Sequence, residues 1–583
     1  MSSSIMSSSI ILNRPWLFRN QKESLLNTLS KKFSLPRSIT AFLINRGLID
    51  ENQIESHLYV SLKRLNDPFL MKDMDKATNL LTKAIFSRKK IGIFGDFDAD
   101  GVTATALVYL FLKEIGIECS YYIPHRENEG YGLNKDGIEY LINKGVELIV
   151  TVDCGITNFE EVAFAEERGI PVIVTDHHEP LDNIPGATAC INPKIKGCSF
   201  PFKDLSGVAV AFNLIRALRT ALYKRGFFKK DVPNLKKYLD LVAIGTVSDM
   251  MPLFEDNRIF VKVGLEVLAT KERLGLKYLM DFCGINNFNL SCFDIAFKLG
   301  PRINAAGRMS HAIEAFELLI EHDENRAKEL AKRLCDLNQK RQQHEKSIFL
   351  EVMKKIEESG KKDAYIFYNT NWPKGILGLV ASKVVQEVER PVLLLKDEGE
   401  ELKGSGRVPD GFDLFSILCK CEDSLKRFGG HKVAAGLSIN RQKLEFFIEV
   451  FLQAVSQQAA QKELSPCLNI DARIDLEEML DANYLKFFEL LEPFGPGYEG
   501  PLFATDNFKI QSLKRIGNGQ NHLKFVIAPK KSHLNGGLEL VAWGVGKLLS
   551  EKWHDMELAF SPQINEWQGK RQLQLILKDA RKK

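Results

Sequence analysis

The spacing of apolar residues divides the chain into stretches of different rhythm. Residues 1 to about 75 read as a polar, helical N-terminal segment. Between about 80 and 250, short runs rich in Val and Ile alternate with helical stretches: Ile91–Phe94, Leu148–Val152, Pro171–Thr175 and Leu241–Ile244. Uninterrupted apolar runs separated by helices predict a parallel sheet covered on both faces. From Asp323 to about Glu358, Leu330, Leu334, Leu337, Ile348, Val352 and Ile356 fall at helical spacing. Arg341 and His344 interrupt that seam, so a connecting helix is expected rather than a coiled coil. A second α/β unit follows, with strands at Ala364–Tyr368 and Pro391–Leu395, a helix at Ile376–Val388, and then Gly-rich segments. After Pro466 the helical pattern fades. Leu523–Ile527, Leu538–Trp543, Met556–Phe560 and Leu573–Leu577 read as short strands of a small β-barrel.

The expected architecture is therefore α/β. A parallel-sheet domain (76–320) follows the N-terminal segment (1–75). A long helix (321–360) joins it to a smaller α/β domain (361–462), and a C-terminal barrel (463–583) ends the chain.

Composition changes this picture in two places. Lys and Arg number 79 against 75 Asp and Glu, a net of +4, but the charge is unevenly spread. From Pro501 onward there are 14 basic and 7 acidic residues, a net of +7, whereas the preceding 500 residues carry 65 against 68, or −3. A basic barrel behind a slightly acidic body points to an anionic partner for the barrel, against a plain solvated surface. The ten cysteines form no CxxC pair and suit reduced thiols better than a disulfide framework. No run of 18 apolar residues is present, and the Ser-rich start lacks the pattern of a signal peptide. A cytoplasmic location without a membrane segment is expected.

The acidic residues are placed with a regularity that composition does not show. The run Ile91–Phe94 enters Asp96-Phe97-Asp98-Ala99-Asp100-Gly101. The run Leu148–Val152 ends at Asp153, and Pro171–Thr175 ends at Asp176-His177-His178. Leu241–Ile244 leads to Asp249. Ligands of open α/β sheets bind at the carboxyl ends of the strands. Carboxylates gathered there repel one another unless cations neutralise them, and carboxylate with imidazole suits Mn²⁺, Mg²⁺ or Zn²⁺. Bridging carboxylates can hold two such ions for phosphoester hydrolysis. Each piece alone has a plainer reading. Asp153 could be a helix cap. A calcium loop begun at Asp96 would need Glu at its twelfth position, which is Leu107.

The motifs FGDFDADG (94–101), YIPHRENEGYGL (122–133), VDCG (152–155), TDHH (175–178), GTVSDMMPL (245–253), LGPRINAAGRM (299–309), GSGR (404–407) and GGHKVAAG (429–436) occur in that order. Together they resemble the DHH phosphoesterase superfamily and, within it, the RecJ-type exonucleases. The resemblance runs from about residue 60 to the C-terminus. LLEPFGPG (490–497) and NEWQGK (565–570) resemble the oligonucleotide-binding (OB-fold) barrel of that branch. One position departs from the wider superfamily: four residues before Asp98, Phe94 stands where many relatives carry a metal-binding His.

The resemblance implies metal ligands at Asp98, Asp100, Asp153, His177 and Asp249, for two divalent ions, Mn²⁺ or Mg²⁺. It implies catalytic or ligand-orienting roles for Asp96, Asp176 and His178, and a donor to the scissile phosphate in His431. Arg126, Ser405 and Arg407, with Arg302 or Arg308 flanking Asn304, would bind the 5′-terminal phosphate. On the barrel, Lys514, Arg515, Lys524, Trp543, Trp567, Lys570 and Arg571 are candidates for groove and stacking surface. The activity implied is metal-dependent 5′→3′ hydrolysis of single-stranded DNA to nucleoside 5′-monophosphates, in repair and recombination. The partners implied are single-stranded DNA, a helicase and a single-strand-binding protein, with a monomeric chain. The rivals are a phosphodiesterase for short oligonucleotides or cyclic dinucleotides, an inorganic pyrophosphatase, and an inactive DNA-binding scaffold.

Overall fold

The computed structural model describes residues 15–19, 21–229, 231–286, 289–459, 467–530, 536–548, 553–567 and 570–583. The chain forms two compact units. One takes the chain up to Leu65, the segment Pro252–Lys262 and the chain from Leu464 onward; the other takes Asn66–Met251 and Val263–Glu463. The first unit opens with β1 (Trp16–Phe18) and the helices Glu23–Phe33, Arg37–Asn45 and Glu51–Leu58.

The second unit contains the parallel sheet that the apolar runs predict. Its strands are β2 (Ile91–Phe94), β3 (Cys119–Tyr122), β4 (Leu148–Val152), β5 (Val172–Thr175) and β6 (Ala189–Ile191), in the spatial order β3-β2-β4-β5-β6. All neighbours are parallel. Every residue of β2, β4, β5 and β6 is buried, which is why these strands read as unbroken apolar runs. Ile138, Leu141, Val162 and Ala165 from the helices Lys135–Asn143 and Phe159–Glu167 complete a core with Ile149 and Val174. The chain leaves β2 for β3 on one side and returns across it to β4 on the other. That reversal opens a crevice at the carboxyl ends of β2 and β4.

One predicted strand is a helix. Leu241–Ile244 lies inside the helix Leu239–Ser248, whose residues 239–247 are all buried. A helix buried on every side has no polar face, so its apolar run carries no 3.6-residue signature and imitates a buried strand.

The helix Glu324–Ser359 has 36 residues, about 54 Å of length. It packs against the helices Leu274–Phe282 and Gly300–Met309 before it and Leu377–Val388 after it. Ile348, Val352 and Ile356 join Trp372, Val380 and Leu394 in one core. The helix is thus built into its surroundings as well as connecting them. The smaller sheet has strands β7 (Tyr365–Asn369), β8 (Val392–Asp397), β9 (Glu401–Arg407), β10 (Leu425–Gly430) and β11 (Ala434–Asn440), ordered β10-β11-β9-β8-β7. The Gly-rich GSGR therefore lies in a central strand, where glycine lets backbones close up: a Cβ on Gly404 would lie 2.0 Å from the Leu394 carbonyl oxygen.

In the first unit, β12 (Leu468–Ile470) pairs in parallel with β1, Trp16 opposite Leu468. A seven-stranded sheet follows, made of β13 (Ala472–Arg473), β14 (Phe503–Thr505), β15 (Lys509–Ile516), β16 (His522–Ala528), β17 (Leu538–Ala542), β18 (Met556–Trp567) and β19 (Lys570–Lys582). Its order is β13-β14-β18-β19-β17-β16-β15. The apolar runs Met556–Phe560 and Leu573–Leu577 are only the buried portions of the longer strands β18 and β19. Two short helices, Leu476–Leu480 and Tyr484–Leu491, stand where only strands and turns are expected. Among the described residues no helix is long and apolar enough to cross a membrane.

Candidate metal centre and phosphate pocket

The crevice between β2 and β4 gathers the acidic residues. Beyond β2, Asp98 caps the helix Ala99–Glu114, its Oδ1 accepting the amides of Asp100 (2.9 Å) and Gly101 (3.1 Å). The capping reading and the ligand reading are compatible, because the second oxygen makes neither bond. Asp100 is buried and accepts the amides of Gly207 (2.6 Å) and Val208 (2.9 Å), the first residues of the helix Gly207–Lys224. Asp153 follows β4 in a left-handed conformation, φ 62°. Such backbone costs of order 1–3 kcal/mol in a non-glycine residue and marks a constrained position. Asp249 arrives from the C-terminus of the helix Leu239–Ser248 rather than from a strand. A helix C-terminus is the unfavourable end for an anion, so Asp249 adds to the demand for a cation.

His177 links the acids. Its Nε2 lies 3.1 Å from Asp153 Oδ1, 3.6 Å from Asp249 Oδ2 and 3.9 Å from Asp100 Oδ2. Three ligand sets are each drawn within 4.8 Å: Asp153, His177 and His178; Asp100, His177 and Asp249; Asp96, Asp98 and Asp153. Asp96 Oδ1, Asp153 Oδ1 and His177 Nδ1 are buried without a hydrogen-bond partner. A buried polar atom left unpaired costs about 1–3 kcal/mol, more for a charged group. Several at one point fit a site completed by ions, and the oxygen and imidazole donors fit Mn²⁺ and Mg²⁺.

The proton affinities follow from this crowding. Burial, then the charge of Asp98, pushes Asp100 up to about 7. Burial, then Asp100, pushes Asp249 up to about 8. Burial and neighbouring carboxylates raise Asp96 and Asp153 well above the carboxylate range. Burial and the adjacent His178 lower His177 to about 4, leaving the neutral imidazole that metals bind.

His178 behaves oppositely. Burial disfavours its charge, but Asp176 Oδ1 sits 2.8 Å from its Nδ1 and raises it to about 9. Asp176 is buried too, yet the His178 hydrogen bond and charge and the Ile156 amide at 2.9 Å bring it below its usual value. Asp176 also accepts the amides of His177 and His178. It orders the TDHH turn and belongs to none of the three ligand sets.

The basic residues separate into two groups. Arg126 lies over the Phe97 ring, 4.7 Å from its centroid. Arg308 is half-buried and donates to the Gly375 carbonyl (2.9 Å). Burial, then Arg126 and Arg341, with a smaller contribution from Arg407, lowers it to about 9. Arg407 donates to Ser382 Oγ (3.1 Å), and a Cβ on Gly378 would meet its Nη2 at 2.8 Å and Ser405 Oγ at 3.3 Å. Arg126, Arg308, Ser405 and Arg407 thus face a common region. Arg302 is turned elsewhere: it donates to the Lys298 carbonyl (2.7 Å) and interacts with the Cys335 thiol. Asn304 Oδ1 accepts the Ala99 amide (2.8 Å), fixing the turn that carries Asp98.

His431 is not brought to the acidic cluster. It is exposed on the turn between β10 and β11, and among the described residues its only hydrogen bonds are backbone contacts to Ala434. On the barrel, Lys524 is paired with Glu539 and Arg571 with Glu489, while Lys514, Arg515, Trp543 and Lys570 are exposed. The Trp567 side chain lies outside the described residues.

Two contributors are absent from the sequence reading. Tyr131 Oη lies 2.9 Å from His178 Nδ1 and donates to the Asp153 carbonyl (3.3 Å). It belongs to the YIPHRENEGYGL motif, which could have drawn attention to it. Gly207 packs against the cluster so closely that a Cβ would lie 2.3 Å from Asp153 Oδ1. The only local signal is Ser206, which caps its helix through the Ala209 amide.

Comparison with known proteins agrees with this geometry. Residues 90–246 match the DHH family N-terminal domain, 361–457 the DHHA1 domain and 470–579 the RecJ OB domain. A single-stranded-DNA-specific exonuclease RecJ from Haemophilus influenzae is 36% identical over 89% of this chain and 92% of its own length. Its counterpart from Bacillus subtilis is 32% identical over 97% of this chain and 70% of its own. The crystal structure of RecJ in complex with Mn²⁺ from Thermus thermophilus superposes with a TM-score of 0.81. It is 27% identical, with 98% of this chain and 80% of that one covered. A second structure of that protein contains Mg²⁺ (TM-score 0.74, 25% identity, 98% and 78% covered).

Proposed function

This chain belongs to the RecJ family of single-stranded-DNA-specific exonucleases, and from that premise we propose that it hydrolyses single-stranded DNA from the 5′ end, releasing nucleoside 5′-monophosphates. The observation that carries the reading is the set of buried, unpaired acid and imidazole atoms at the crevice between β2 and β4. An inactive scaffold would have no reason to keep them.

Asp98, Asp100, Asp153, His177 and Asp249 would hold two divalent ions, Mn²⁺ or Mg²⁺, with Asp96 beside them. Such ions supply Lewis-acid activation of water and neutralise charge on the phosphoryl oxygens. The chain's own residues do the rest. Asp176 keeps His178 protonated near neutral pH and fixes its ring, and Tyr131 buttresses it. His178 then presents a cation to the scissile phosphate. Arg126, Arg308, Ser405 and Arg407 grip the 5′-terminal phosphate, with bidentate guanidinium contacts suited to it. Arg302 supports that group from outside, Asn304 positions the Asp98 turn, and His431 donates to a phosphoryl oxygen of bound substrate from its exposed turn.

Water attacks phosphorus between the first and second nucleotides and the P–O3′ bond breaks. The first nucleotide leaves with its own 5′-phosphate, and the shortened strand carries a new one. Each turnover therefore regenerates the group that the arginine pocket binds. The basic barrel extends the grip along the strand. The reading further includes a helicase that supplies single strands, a single-strand-binding partner, a monomeric chain and a cytoplasmic setting, in keeping with ten free thiols.

The test uses single-stranded DNA labelled at either end, with Mn²⁺ or Mg²⁺ and an Asp153→Ala control. A mononucleotide should leave the 5′ label at once while the 3′-labelled strand shortens stepwise, and the variant should be silent. Turnover of dinucleotides or pyrophosphate alone would instead support a small-substrate phosphoesterase.

A further inference from the structure

Two phenylalanines have no part in the site described so far. Phe293 and Phe297 stack with ring centroids 4.6 Å apart and planes at 29°. They nevertheless expose 55% and 49% of their surface. They sit on an unusual segment. A short helix, Cys292–Asp294, continues into a π turn, Ile295–Leu299, and then into the helix Gly300–Met309. Single π turns are rare and concentrate at functional positions. Ile295 and Leu299 are fully buried and anchor the segment, leaving the two rings outside.

The segment is tied to the metal centre. Gly300 packs on Ser248, the residue before Asp249, so tightly that a Cβ there would lie 2.5 Å from its Oγ. Phe297 is three residues earlier, within the π turn itself. Lys298 lies between the rings and Gly300; its ammonium pairs with Asp294 at 2.7 Å, and Arg302 donates to its carbonyl.

We infer that Phe293 and Phe297 form a stacking platform for bases of the single strand next to the metal centre. The inference rests on the exonuclease reading. Aromatic faces bind any base, which suits an enzyme that degrades strands of any sequence. Bases in a duplex are already stacked and unavailable, so the platform selects for unpaired DNA beside the scissile bond. Two stacked rings, each about half exposed, match the face of a base. A stable protein interface needs about 800 Å² on each partner.

The test compares the full-length protein with F293A/F297A and F293L/F297L double variants. Substrates are a long 5′-phosphorylated oligonucleotide carrying 2-aminopurine at successive positions, and a 5′-phosphorylated dinucleotide. The alanine variant should raise KM on the long strand about tenfold. It should leave dinucleotide hydrolysis unchanged and abolish 2-aminopurine quenching at a defined position. The leucine variant, apolar but without a π face, should also lose the quenching. Wild-type KM and quenching in both variants would overturn the inference. If the alanine variant loses activity on both substrates, the leucine variant decides: retained quenching overturns the platform, lost quenching supports it. A shift of the leucine variant in gel filtration with unchanged KM would also overturn it, by making the pair a protein contact. Failure of the wild type to degrade single strands would sink the exonuclease reading separately, and the quenching would still report on the rings.

Discussion

Buried acids occur in both units of this protein, with opposite consequences. In the first unit, Asp471 is buried but meets Arg46 at 2.8 Å and the Leu502 amide at 2.9 Å. Asp579 is buried and accepts from Trp16 Nε1 at 2.7 Å and from the Ala580 amide. In the second unit, Asp96 and Asp153 are equally buried, yet each keeps an oxygen with no hydrogen-bond partner and faces other carboxylates. Burial of an acid is therefore no sign of chemistry by itself. Burial without an internal partner is, because the missing partner must come from outside the chain.

The sharpest way to break the comparison is to neutralise one acid of each kind. Asp153→Asn removes a repelling charge and a ligand. Activity should fall at least about a hundredfold, given the several kcal/mol that metal ions contribute to such transition states, while metal-free thermal stability holds or rises. Asp471→Asn strands Arg46, and unfolding should be easier by about 3–5 kcal/mol, with activity per folded molecule retained. Chemical denaturation and nuclease assays on both variants check the pair. A destabilised Asp153→Asn protein would contradict the distinction.

A weaker break leaves every acid in place. Gly207→Ala drives a methyl group toward Asp153 Oδ1 and disturbs the amide that holds Asp100. Metal affinity should drop about 10–100-fold, the range for groups that orient ligands. Mn²⁺ titration followed by calorimetry measures it, and rescue of activity by excess Mn²⁺ would place the defect in metal binding.

These two variants also mark how far the sequence could be read. Asp98, Asp100 and Asp153 were legible because apolar runs announce strands and the residues after them occupy the sheet edge. Asp249 was placed by a false strand: the helix Leu239–Ser248 is apolar all round, and its period is hidden. Gly207 was invisible, since its importance lies in contact with a residue 54 positions earlier, which no local pattern encodes. The strand Trp16–Phe18 escaped for the same reason, its partner Leu468–Ile470 being at the other end of the chain. Motif order grouped Arg302 with Arg308, and only packing separates them, because six residues along a helix point side chains in different directions. His431, expected on resemblance as a donor to the scissile phosphate, stands on an exposed turn.

A smaller effect separates the two kinds of acid by pH. Asp100 and Asp249, pushed up to about 7 and 8, hold protons in the folded state that the unfolded chain releases near pH 4. Their contribution to stability is full below about pH 4 and is lost as pH rises through 7 to 8. In chelator, the melting temperature should therefore decline between about pH 5 and pH 8.5, less steeply in Asp249→Asn. Mn²⁺ should restore it most at the alkaline end, where the carboxylates are charged. A melting temperature that rises across this interval in chelator, or an Asp249→Asn profile identical to the wild type, would refute the assignment.

The smallest expected change lies on the barrel, where charge is exposed and serves contact rather than chemistry. Lys514 and Arg515 are exposed on β15, an edge of the seven-stranded sheet. If each neutralises one phosphate, replacing both by alanine should lower the slope of log affinity against log salt by about 0.7 per residue, the single-strand value. Because these contacts read no base, the loss should be uniform across sequences, and cleavage of a dinucleotide, which brings no further phosphates for these residues, should not change. The acidic cluster makes the opposite demand, in which one lost charge ends turnover on every substrate. A sequence-dependent loss, or slowed dinucleotide hydrolysis, would mean that the barrel takes part in the chemistry. The division between acids completed within the chain and acids left for ions would then fail.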